Sequence, residues 1–144
     1  MQIKRKVMLS CIVSILLITF FTGCAKAKVS IPDFVKLLKD EIGYDVEYIE
    51  DRSVIRITDY LGQDAIIDAV SNDNVYNQWI GLRENILKLY DDSVELAKSK
   101  NIDDTEFEIV IIEKDSAKTS QEIPLLIINK DGVLLDIVEE IRSK

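Results

Sequence analysis

The chain has no histidine. That removes Ser-His-Asp catalysis, imidazole-bound zinc and imidazole pH sensing from the chemistry available to it. Cysteine is nearly as scarce: Cys11 and Cys24 are the only two, and none follows. A domain built from the residues after Cys24 therefore has no disulfide, thiolate metal ligand or cysteine nucleophile, and is held by its core alone. Positive charge is also short. The chain carries 18 basic and 26 acidic side chains, a net charge of −8. Its first 23 residues hold three basic residues and no acidic one, so the rest carries 15 against 26, a net −11. Nucleic-acid binding needs a basic footprint and is disfavoured. Such a charge favours solubility, repels anionic surfaces and attracts cationic peptides or ions. No G-x-S-x-G, S-x-x-K or phosphate-cradling glycine loop occurs.

What is present begins at the N-terminus. Lys4-Arg5-Lys6 precedes an apolar run from Val7 to Phe21, interrupted only by Ser10, Ser14 and Thr19, and the run ends at Phe21-Thr22-Gly23-Cys24. A basic patch, a short apolar stretch and small residues before a cut are the parts of a secretory signal. The apolar stretch falls short of the roughly 20 residues a permanent span requires. Cysteine directly after a small residue resembles the lipobox of bacterial lipoproteins, with Phe21 where leucine is commoner. The resemblance implies cleavage between Gly23 and Cys24, a diacylglycerol on the Cys24 thiol, and a protein held on the outer face of a bacterial cell membrane. Residues 1–23 are then a leader and residues 24–29 a lipidated tether. The five residues Ala25–Val29 reach less than about 20 Å fully extended, and Lys26 and Lys28 are placed to meet phosphate headgroups.

Residues 30–144 read as one α+β domain. Ser30 caps a helix to Ile42, with Pro32 in its first turn, Asp33 three residues after the cap, an apolar stripe of Phe34, Leu37, Leu38 and Ile42, and Gly43 as a stop. Strands follow at Asp45–Glu50 and Ser53–Thr58, turning at Asp51-Arg52. Asp64–Val70 fits a helix better than a strand, because Ile66 and Val70, and Ala65 and Ala69, stand four apart. Val75–Lys100 is the longest element. Val75, Trp79, Leu82, Ile86, Leu89, Ser93 and Leu96 form one line; Tyr76, Ile80, Leu87, Tyr90, Val94 and Ala97 form a second beside it. Together they make an apolar face wide enough to lie across a sheet. Strands at Glu106–Ile112 and Ile123–Ile128 are apolar enough to be covered, at least in part, on both faces. Glu113–Glu122 joins them as a loop, Asn129–Gly132 is a turn, Val133–Ile137 returns, and Glu139–Lys144 is expected to fray. The order α-β-β-α-α-β-β-β, with hairpins at both ends, predicts an antiparallel sheet with the long amphipathic helix packed across it.

From Asp64 onward the chain resembles a group of small lipoproteins from Gram-positive, clostridia-like bacteria. The residues that carry this are Asp64-Ala65-Ile66 to Val70-Ser71, the helix centred on Trp79, Asp104 before the Phe107 strand, and Leu125-Leu126 through Asp131-Gly132-Val133 to Asp136-Val138. The loop between the last long strands departs from that group's Asn-Asp-rich form. The resemblance implies architecture and location, and no activity.

Few residues invite chemistry. Adjacent acids occur at Asp40-Glu41, Glu50-Asp51, Asp91-Asp92, Asp103-Asp104 and Glu139-Glu140, no more than so acidic a chain holds by chance. Carboxylate catalysis needs convergence and tuned pKa values, and pairing along the chain shows neither. Asn129, Asp131 and Gly132 fit a turn better than a fragment of a calcium loop. Tyr76, Trp79 and Tyr90 are the candidates for a ligand or partner surface, although at helical spacing on an apolar face such residues are more often core. No cofactor or metal is expected. The reading is a non-catalytic binding or accessory lipoprotein of the cell envelope, with the bilayer as one partner and an envelope protein or cationic peptide as another. The alternatives are an immunity-type lipoprotein that sequesters a cationic membrane-active peptide and, less favoured, a carboxylate-dependent enzyme.

Overall fold

The computed structural model describes residues 29–102, 104–118 and 121–144. The leader, the cleavage pair Gly23-Cys24, the lipidation residue Cys24 and most of the tether lie outside the described residues. No helix among those described is long and apolar enough to cross a membrane.

Helix α1 spans Ile31–Ile42. The Ser30 hydroxyl accepts from the Asp33 backbone N–H, satisfying one of the first-turn donors, and Gly43 at φ 68° ends the helix with its N–H on the Lys39 carbonyl. Strand β1 (Asp45–Ile49) turns through a 3₁₀ segment at Glu50–Arg52 into β2 (Val54–Leu61). Helix α2 (Gln63–Ser71) resolves the ambiguous stretch as helix. Helix α3 (Asp73–Ser99) is 27 residues long and is capped by the Asn72 side chain, which accepts from Asn74 N and Val75 N. Strand β3 (Glu106–Glu113) follows, then a short 3₁₀ turn at Ser116–Lys118, β4 (Pro124–Asn129), β5 (Gly132–Asp136) and α4 (Ile137–Arg142).

The five strands lie side by side in chain order. Pairing is antiparallel except between β2 and β3, which run parallel from Val54↔Glu106 to Leu61↔Glu113. That pairing joins the two sets of antiparallel strands, with α2 and α3 as the crossover. It also carries β2 three residues past Thr58, because Asp59, Tyr60 and Leu61 find partners in β3. At the β4–β5 turn, Gly132 takes φ 98° while Lys130 and Asp131 keep negative φ. This is the signature of a type I turn followed by a glycine bulge.

The helices share one side of the sheet. Ile55, Ile57, Phe107, Ile109, Ile111, Leu126 and Ile128 alternate onto that side and join one hydrophobic cluster with Phe34 and Leu38 of α1, Ile66 and Ala69 of α2, Trp79, Ile86, Leu89 and Ala97 of α3, and Val138 of α4. Phe34 and Phe107 meet edge to face with ring centroids 6.2 Å apart, a geometry aromatic quadrupoles favour. Among the described residues, every buried member of the cluster lies between Phe34 and Val138.

One expectation is corrected. The C-terminal tail does not fray from Glu139: it belongs to α4, capped by the Asp136 side chain, with Val138 fully buried. The cause is a set of polar contacts that reach back to α2 and α3.

Candidate functional site

Those contacts start on α3. Tyr76, Trp79 and Arg83 stand three and four residues apart, one above the other on one helical face. Asp136 and Glu139 stand three apart at the start of α4, so they too share a face. Packing α4 beside α3 brings the two faces together. Trp79 is only 4% exposed and its Nε1 donates to Asp136 Oδ1 at 2.9 Å. Arg83 donates from one terminal nitrogen to Asp136 Oδ2 at 3.0 Å and Glu139 Oε1 at 3.1 Å. The Tyr76 hydroxyl donates to the same Glu139 oxygen at 2.6 Å. Arg142, one turn further along α4, lies over the Tyr76 ring at 4.2 Å from its centroid and donates to the Ala69 and Val70 carbonyls and to Asp73. Asp136 also caps α4 through the Glu139 backbone N–H.

The electrostatics follow from this closure. The hydrogen bond to Glu139, then burial, raises the Tyr76 pKa above its ordinary value. Burial pulls the Arg83 pKa down, but the hydrogen bonds and charges of Asp136 and Glu139 together outweigh it, and the net direction is up. Two carboxylates thus converge, as an acid/base pair must, but an arginine occupies the space between them. The nearby crevice, lined by Leu61, Ala65, Ala69, Val75, Gln78, Trp79 and Leu82, is apolar and has room for about 10 Å³, at most one water. The arrangement is a clasp that holds the last helix, and its groups are mutually satisfied.

The three aromatic candidates therefore separate. Trp79 is a core residue with a polar tether, and Tyr76 is half-buried against Arg142 and Glu139. Tyr90 lies fourteen residues after Tyr76, about 21 Å along the helix axis. Burial first, then the charges of Glu106 and Asp91, raises its pKa. Spacing along α3 did not reveal Arg83, Asp136, Glu139 or Arg142. One signal was available: Asp136-Ile137-Val138-Glu139 has the acid–x–x–Glu form of a capping box.

Elsewhere the acids stay apart. Among the described residues no group of three or more His, Cys, Asp or Glu side chains is placed to hold a metal ion. Asp103 lies outside the described residues. Asn129 uses its side chain to accept from the Asp131 N–H at 2.8 Å, as a turn residue does. A recess of about 360 Å³ lies where the chain enters the domain, lined by Val29, Ser30, Ile31, Asn101, Ile102, Asp104 and Thr105. Its volume falls within the range of small-molecule sites, and Asp104 is the ionisable side chain among its described lining residues.

No family model, curated protein or solved structure matches the chain.

Proposed function

We propose that the chain is a lipid-anchored protein of the outer face of a bacterial cell membrane, and that its domain binds a partner there rather than transforming a substrate. The observation that carries this reading is the placement of Cys24. It ends a basic-then-apolar leader, directly follows Gly23, and stands six residues ahead of Ser30, the cap of the first helix. Two acyl chains on that residue would anchor the protein stably without a protein span. The converging carboxylates Asp136 and Glu139 are engaged by Arg83, which favours a binding role over carboxylate catalysis.

The test is expression of the full chain in a bacterial host, with membrane fractionation and intact mass. The expected product is membrane-bound, begins at Cys24 and carries a diacylglycerol mass. Cys24→Ala is expected to remain at precursor mass or lose the lipid. A Cys24→Ala product found in membranes at the processed mass refutes the reading.

The acidic balance after residue 23 favours one specific form of the binding role, interception of a cationic membrane-active peptide. Deleting the gene then increases sensitivity to such peptides; unchanged survival across a panel refutes this form.

A further inference from the structure

We draw no further inference here: the strongest candidate, the recess between the start of α1 and the segment 101–105 that leads into β3, has only exposed or half-buried polar side chains among its described lining and borders residues outside those described, so nothing in the structure shows what occupies it.

Discussion

Replacing Asp136 tests whether the clasp holds the C-terminal helix. Its carboxylate is 7% exposed as a residue and serves Trp79, Arg83 and the first turn of α4. Asp136→Ala removes an N-cap, which costs about 1 kcal/mol. It leaves the buried Trp79 indole N–H without its partner, which costs about 1–3 kcal/mol. Arg83 retains Glu139, and its side chain is 24% exposed, so the lost ion pair adds no more than about 1 kcal/mol. The total is about 2–5 kcal/mol, a large share of the roughly 5–15 kcal/mol that holds an ordinary domain together. For a domain of this size it lowers the melting temperature by roughly 5–20 °C. Asp136→Asn keeps a cap and an oxygen for the indole and loses only the charge, so it should cost about 1 kcal/mol or less. Trp79 is the only tryptophan, so its fluorescence during urea unfolding of residues 29–144 reports from inside the clasp. Glu140→Ala, an exposed neighbour on α4, should stay within about 0.5 kcal/mol. The reasoning fails if Asp136→Ala costs less than about 1 kcal/mol, or if Asn costs as much as Ala, since the charge alone would then carry the effect.

Two further outcomes follow, one from a buried hydroxyl and one from three tyrosines. Ser93 is 1% exposed on the core face of α3, and its hydroxyl has no hydrogen-bond partner among the described residues. Ser93→Ala removes that unsatisfied group and improves helix propensity, so it should stabilise the domain by about 1 kcal/mol; urea unfolding that shows a loss would refute this. Tyr60, Tyr76 and Tyr90 hold their protons more tightly in the folded chain than the ordinary value of 10.0 implies. Their contribution is therefore intact below pH 10 and is lost as pH rises through the raised folded values, because the folded chain then binds more protons than the unfolded one. Phenolate absorbance should appear at higher pH in the native domain than in urea, and stability should fall across that window; coincident titrations would refute the assignment.

The fold was legible where local chemistry agreed with tertiary packing. Ser30 and Gly43 mark both ends of α1, and the double apolar line from Val75 onward predicts α3, because caps and periodicity are written in neighbouring residues. Asp64–Val70 was decided by the four-residue spacing of two small and two branched side chains, and it is helix. The parallel β2–β3 pairing was not legible. It joins residues about fifty positions apart, and nothing within β2 distinguishes a parallel partner from an antiparallel one. Helix α4 was missed because six residues give fewer than two turns of periodicity, and its cap does half of its work on α3. For the same reason, spacing on α3 grouped Tyr76, Trp79 and Tyr90 but could not show that the first two are held by α4 while the third lies near the start of β3.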